Sequence, residues 1–519
     1  MTNTNVQPEP LTALLDQPEA DHPALITGED GSTLTHAQLA ARVETLAGRL
    51  AAAGVQRGDK VALVLPNGPE IVQLLLAIFA LGAAAAPLNP AYTQSEFVFY
   101  LTDIAPRLAL IPASLPAAAV GAAEECSITV LTTRPGDDGP PELAVQGSEV
   151  LTEASFDAGQ PDDVAIVLHT SGTTSRPKQV PLRQRNLMAS VRNIGAHYRL
   201  GAGDVSFCVM PLFHVHGLVA STFSALGAGG SVIVPRRLTP RRFWPQARGH
   251  GATWLSAGPT LHQMLLDAAD DAGAPSTLRF ARSCSSALSP ALLERAEAAY
   301  GVPVLEAYGM TEASHQMASN PLPPAPHYAG SVGVATGTQI GIAAKGGSLL
   351  PEGEAGEVVI RGPGVMSGYV ANPQATADAF YGDWFRTGDR GVLRDGYLYL
   401  EGRLKEMILR GGENISPAEI EQVLLAHPAV RDAVCFGVAD DKYGELVGAA
   451  VTLSEQADVA DLTAHCRERL AAFKVPASIR VLEEIPRTAT GKVQRRRVGE
   501  FVAGLAGEAG TAGGPAKRQ

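Results

Sequence analysis

Through the first half of the chain, short continuous apolar runs alternate with segments whose apolar residues recur at helical spacing. Val61–Leu65 reads as a short strand, followed by the turn Asn67-Gly-Pro69 and a helix opening near Pro69, a residue suited to the first helical position. Thr93-Gln-Ser-Glu96 has the form of a capping box. It predicts a helix carrying Phe97, Tyr100, Leu101 and Ile104 on one face, limited by Pro106. The longest apolar run, Leu74 to Ala86, falls short of the about 20 residues a membrane span needs and predicts a buried helix. Val164–Leu168 is continuously apolar before a glycine turn, the pattern of a strand buried on both faces. Alternation of this kind predicts an α/β fold with largely parallel sheet.

Around Gly402 the pattern changes. Ser416-Pro-Ala-Glu419 is a second capping box, with proline at the first helical position and Ile420, Val423 and Leu424 behind it. Val434–Val438 reads as a strand, and Leu462, Cys466, Leu470 and Phe473 predict one amphipathic helix. These elements predict a small α+β domain beginning near Leu404. From Gly504 onward the chain is rich in glycine and alanine, with too little apolar surface to order itself, and a disordered tail is expected. No internal repeat is present.

Composition narrows the function more by exclusion than by assignment. The 519 residues suffice for two or more domains. A net charge of −12, spread along the chain, excludes the basic patch a nucleic-acid binder needs. The five cysteines, Cys126, Cys208, Cys284, Cys435 and Cys466, are scattered and contain no C-x-x-C pair, so they form neither a disulfide framework nor a metal site. The N-terminus lacks a basic start and an apolar core, so no secretory signal is visible. A cytoplasmic protein without membrane insertion is expected.

Thr170-Ser-Gly-Thr-Thr-Ser-Arg-Pro-Lys178 follows the strand Val164–Leu168 directly. It supplies hydroxyls, flexible backbone N–H groups and a cation, the donor set a polyphosphate needs. No Gly-Lys-Ser/Thr follows Gly172, so it is not the loop of the common nucleoside triphosphatases. Alone, such a stretch is an ordinary turn. Its context is Tyr308-Gly-Met-Thr-Glu312, Arg386-Thr-Gly-Asp389, Gly402-Arg-Leu-Lys405, Arg410-Gly-Gly-Glu-Asn414 and Pro486-Arg-Thr-Ala-Thr-Gly-Lys492, in that order.

Together these six segments resemble the acyl-adenylate-forming superfamily, and the likeness runs from about Leu11 to Arg497. The resemblance implies an α/β protein with a large multi-sheet N-terminal adenylating domain (10–403) and a small mobile α+β domain (404–503), ahead of a tail (504–519). It implies that Thr170, Ser171, Gly172, Thr173, Thr174 and Lys178 cradle the β- and γ-phosphates of ATP. Thr311 and Glu312 would sit at the α-phosphate, Glu312 holding Mg²⁺ through hard oxygen contacts. Asp389 would accept both ribose hydroxyls, Arg403 would support the ribose, and Ser286, Ala287, Glu306, Ala307 and Tyr308 would bracket the adenine. Lys492 would place a cation between the attacking carboxylate and the α-phosphate, where it stabilises the transition state more than the ground state. Lys405 resembles the family's hinge, and Gly411 and Gly412 would line the channel for coenzyme A after the small domain rotates.

His169, Pro211-Leu-Phe-His-Val-His-Gly217, Arg282-Ser-Cys-Ser-Ser-Ala287, Ala313-Ser-His315 and Ser319-Asn-Pro-Leu-Pro323 resemble in combination the oxalate–CoA ligases of plants and fungi. Oxalate would keep one unreacted carboxylate in the pocket, needing donors to replace water. Ser285, His315 and His214 are the candidate donors, and His216 reads as a buried, hydrogen-bonded core histidine. Gln179 and Ser175 stand where the wider family usually has glycine, and Gln179 is expected to add bulk at a turn and slow closure of the phosphate loop. Three alternatives stand beside oxalate: ligation of another small or medium-chain acid, an amino-acid adenylation domain loading a carrier protein, and a nucleotide-binding protein without catalysis. The second lacks a pocket aspartate beside Phe213–Gly217, and the third has no use for Lys492.

Overall fold

The computed structural model describes residues 8–114, 117–136, 139–145, 151–170, 177–487, 493–495 and 497–502. Two large, mainly parallel sheets form the bulk of the chain. In the seven-stranded sheet, Lys60–Leu63 lies between Leu108–Pro112 and Ala84–Pro87, and Val164–Thr170 follows on the far side of Ala84–Pro87. Lys178–Arg183 then turns back antiparallel along Val164–Thr170, with Thr170 opposite Lys178. The nine-stranded sheet runs parallel through Val304–Met310, Phe280–Ser283, Trp254–Ala257, Val205–Phe207, Ser231–Val234 and Pro23–Thr27. Beyond Val304–Met310 come two antiparallel strands, His315–Ser319 and the edge strand Val334–Ala335.

One core joins the two sheets: Val61, Leu63 and Leu110 from the first cluster with Leu25, Val232 and Phe280 from the second and with Leu74–Phe79. The helix Pro69–Ala80 therefore buries apolar side chains all round, as a helix in a core interior must. The apolar run that predicts one helix over Leu74–Ala86 is in fact two elements. Gly82, at φ 69°, ends the helix, and Ala84–Pro87 pairs in parallel with Lys60–Leu63. Parallel neighbours on both sides override the helical preference of its alanines. The capping box at Thr93 forms with both reciprocal bonds, and the helix Gln94–Ile104 buries Phe97, Leu101 and Ile104 before Pro106.

A third, five-stranded antiparallel sheet contains Gly356–Arg361, Trp384–Arg394 and Tyr397–Arg403. The turn Leu404–Glu406 leads from it into a fourth sheet, built on the long hairpin Val430–Asp440 and Gly444–Leu453. Its core takes Ile420 and Leu424 from the helix Pro417–Leu425 and Leu462 and Cys466 from the helix Val459–Arg469. Here two expectations change. Ser416 caps its helix, but the Glu419 carboxylate pairs with Lys474 Nζ at 2.6 Å rather than closing the box. Phe473 lies beyond the second helix and is exposed, because that helix ends at Arg469. The expected tail, 504–519, lies outside the described residues. Among the described residues no helix is long and apolar enough to cross a membrane.

Candidate active site

Several motif residues converge where strand ends of the nine-stranded sheet meet the antiparallel sheet. Ser285–Leu288, Glu306–Gly309, Asp389, Arg403 and Lys405 wall one cleft of about 1730 Å³, whose other side is formed by small-domain residues such as Glu421 and Gly437. Strand Val304–Met310 delivers Glu306, Ala307 and Tyr308, all buried. The turn Thr311–Ala313 then places Glu312 at its centre. Gly309 is required by the hairpin that follows, since a Cβ there would stand 2.3 Å from the His315 carbonyl oxygen.

Asp389 sits opposite Arg403 in the antiparallel sheet, and Arg403 Nε lies 2.9 Å from Asp389 Oδ1. The Tyr308 hydroxyl donates to Asp389 Oδ2. Burial and the Asp389 charge together push the Tyr308 phenol well up, so it remains a donor. The same carboxylate raises the Arg403 guanidinium. Glu312 is buried, and its Oε1 accepts from Tyr369 Oη at 3.1 Å. Lys178 Nζ lies 4.6 Å from the centroid of that Tyr369 ring, so one tyrosine connects the base of the phosphate loop to Glu312. Glu306 Oε1 accepts from the Leu288 N–H at 3.2 Å, while Oε2 is buried without a hydrogen-bond partner. Burial pushes the Glu306 carboxyl up to about 7, against the smaller opposing effect of the Leu288 N–H.

Behind Ser285 the wall is polar. Ser285 Oγ is 3.0 Å from His216 Nδ1, and His216 Nε2 is 2.7 Å from Ser256 Oγ. The His216 and His315 rings stack at 5.0 Å, and His315 Nε2 is 2.9 Å from Arg282 Nη2. Ser285, Ser314 and His315 all hold positive φ (81°, 54° and 100°), a strained conformation for residues with a Cβ. His216 lies in the π-helix His216–Phe223, a rare element that often accompanies functional sites. It is indeed buried and hydrogen-bonded as the sequence suggests, and it is the histidine that contacts Ser285. His214 stands two residues earlier, half-buried, its ring 4.8 Å from that of Phe213.

Several expected residues sit elsewhere or cannot be described. Ser171, Gly172, Thr173, Thr174, Ser175 and Lys492 lie outside the described residues, and Thr170 ends its strand beside Lys178. Gly411 and Gly412 form an exposed hairpin tip at φ 59° and 91°, outside the cleft wall, whereas Lys405 is exposed along that wall. Gln179 is not at a turn. It lies in extended strand opposite His169, and its amide donates to the Asp103 carbonyl and carboxylate at 2.6 and 2.8 Å. His169 Nε2 is 2.9 Å from the same carboxylate, so Gln179 fastens the loop's base to the helix Gln94–Ile104. Arg282, Tyr369 and Asp103 carry none of the motif assignments. Arg282 heads the segment Arg282–Ala287 without a role of its own, and its charge inside the buried strand Phe280–Ser283 is what singles it out.

Residues 14–370 match the model of the AMP-binding enzyme family, and residues 419–492 match that of the AMP-binding enzyme C-terminal domain. The chain belongs to the AMP-binding enzymes. Among curated relatives, an oxalate–CoA ligase from Arabidopsis thaliana is 48% identical, over 90% of this chain and 93% of its own length. A sulfoacetate–CoA ligase from Cupriavidus necator is 39% identical, over 92% and 94%. The crystal structure of ATP-bound MatB from Rhodopseudomonas palustris superposes with a TM-score of 0.86 at 31% identity, covering 95% of this chain and 99% of that one. The large multi-sheet domain followed by a smaller C-terminal domain is thus the architecture of this AMP-binding enzyme family. Among the described residues no group of three or more His, Cys, Asp or Glu is placed to hold a metal ion.

Proposed function

We propose that this AMP-binding enzyme is an acid–CoA ligase whose acid is oxalate. The observation that carries the acid is the polar wall behind Ser285, where His216, His315 and Arg282 stand in place of apolar side chains. A carboxylate that remains unreacted needs such donors once water is excluded. The 48% identical oxalate–CoA ligase and the sulfoacetate–CoA ligase, both named for acids with a second anionic group, support the same choice.

In the first step one carboxylate oxygen of the acid attacks the α-phosphorus of ATP. The bond to the β-phosphate breaks, and pyrophosphate leaves. Asp389 and Arg403 orient the ribose, with Tyr308 fixing the Asp389 carboxylate, while Ser286, Ala287 and Glu306 border the base. Thr170, Ser171, Gly172, Thr173, Thr174 and Lys178 hold the outgoing phosphates, and Lys492 stabilises charge on the α-phosphate. Glu312 would hold a magnesium ion, since such ions need only one or two protein carboxylates, and Mg²⁺ would neutralise negative charge there. In the second step the sulfur of CoA, having lost its proton, attacks the acyl carbon and AMP leaves. Rotation about Lys405, bringing Gly411 and Gly412 to the cleft, accounts for their position outside the cleft wall here.

A coupled assay of CoA-dependent AMP release over short mono- and dicarboxylates tests both levels. Oxalate should give the fastest release. Preference for octanoate or 4-coumarate would reject the acid and leave the ligase; AMP release indifferent to CoA would reject the ligase.

A further inference from the structure

Arg282 is fully buried in the middle of a parallel sheet, and its hydrogen-bond partners are a tyrosine, a glutamine, a serine and two histidines. Nε reaches Tyr198 Oη and Gln316 Oε1, both at 3.0 Å. Nη1 reaches Ser256 Oγ at 2.7 Å and His216 Nε2 at 3.3 Å, and Nη2 reaches His315 Nε2 at 2.9 Å. Among the described residues no carboxylate pairs with it. Arginine is almost never fully buried unless paired, because removing its charge from water without an anion is expensive. Satisfied hydrogen bonds relieve only part of that cost.

The donor count fixes the direction of the bonds that start from Arg282. A guanidinium only donates, so Ser256 Oγ and His315 Nε2 must accept from it. Ser256 then turns its own hydrogen toward His216 Nε2, at 2.7 Å. With Nε2 accepting, the proton of His216 belongs on Nδ1, which donates it to Ser285 Oγ, at 3.0 Å. The Ser285 hydroxyl, already accepting, presents its hydrogen elsewhere, and Ser285 lines the cleft. The chain Arg282–Ser256–His216–Ser285 therefore aims a donor at the acid and sets a fixed positive charge behind it.

We propose that Arg282 is the positioning residue through which the pocket selects an acid with a second negative charge. This rests on the ligase reading above and adds what discriminates within it. The missing counter-ion is the substrate's spare carboxylate, felt through His216 and His315. A unit charge about 10 Å away, at an effective dielectric near 20, changes affinity roughly tenfold.

The test compares oxalate with oxamate, which has the same shape but an amide in place of one carboxylate. AMP release is measured as kcat/KM for both acids in the full-length enzyme, in Arg282→Met and in Arg282→Lys. The wild type should favour oxalate, Arg282→Met should lose about tenfold of that preference, and Arg282→Lys should keep most of it. A parallel fall for both acids in Arg282→Met, with the ratio unchanged, would show a structural role and overturn the inference. So would a ratio that collapses equally in Arg282→Lys. Should Arg282→Met not fold, Arg282→Lys and the wild-type ratio decide: equal use of the two acids overturns the charge argument. A wild type preferring octanoate over both would instead overturn the oxalate reading.

Discussion

Replacing Glu306 with glutamine removes an ionisable group without changing its shape. The folded carboxyl titrates near 7, against an ordinary value of 4.5, and burial is the main cause. Below about pH 4.5 the folded and unfolded chains both hold the proton, and the buried group is neutral in either case. As pH rises toward 7 the unfolded chain gives up its proton while the folded chain keeps it, so stability falls across that window. Above 7 the loss is complete. The gap between 4.5 and about 7 corresponds to about 3 kcal/mol. Spread over a domain of roughly 400 residues, that is a shift of about 4 °C in Tm.

Thermal unfolding of both proteins across pH 5 to 8, at one scan rate, makes the comparison. The two Tm curves should lie close together near pH 5 and separate by about 4 °C at pH 8, with Glu306→Gln the more stable. Every other titrating group is common to both, so their difference isolates this one. A difference that stays constant from pH 5 to 8 would refute the buried, protonated carboxyl.

Two further substitutions probe the hairpin and the chemistry. Gly309→Ala puts a methyl group 2.3 Å from a backbone oxygen that cannot swing aside, so a loss of about 1–3 kcal/mol and slower pyrophosphate release are expected; wild-type Tm and rate together would contradict the packing. Lys492→Ala should abolish adenylate formation yet spare thioester formation from synthetic oxalyl-AMP, and an equal loss of both half-reactions would remove Lys492 from the first step.

The legible parts of the fold were those where local chemistry and tertiary context agree. The box at Thr93 closes with Glu96 bonded back to its own cap, whereas Glu419 finds Lys474 from a distant segment. The run Leu74–Ala86 splits because its second half is claimed by strands brought alongside from residues 60–63 and 164–170. At the site, residues within short motifs could be named: Tyr308, Asp389 and Arg403 do come together. Tyr369, 57 positions from Glu312, belongs to no motif and joins it only through the folded sheet. In the sequence Gln179 reads as a departure that disturbs a turn. Its partner Asp103 lies 76 residues earlier, and no local pattern links them.

The costs in this fold are concentrated on neighbouring strand ends. Phe280–Ser283 holds a buried arginine with no anion beside it among the described residues, and Ser285, just beyond it, is held at positive φ. Val304–Met310 contributes a buried carboxyl with an unpartnered oxygen and leads into Ser314 and His315, both at positive φ. An apolar pocket for a long acyl chain would have no use for the buried arginine, because burial of the chain would supply the affinity. A small acid offers almost no apolar area, so affinity must come from charge and fixed donors, and those must be built before the ligand arrives. The surrounding core, continuous between the two large sheets, supplies the stability that lets the strained residues persist. Loss of the ligand's second charge should therefore be felt as lost binding rather than relieved by rearrangement, which is why oxamate, and not a bulkier acid, is the discriminating probe.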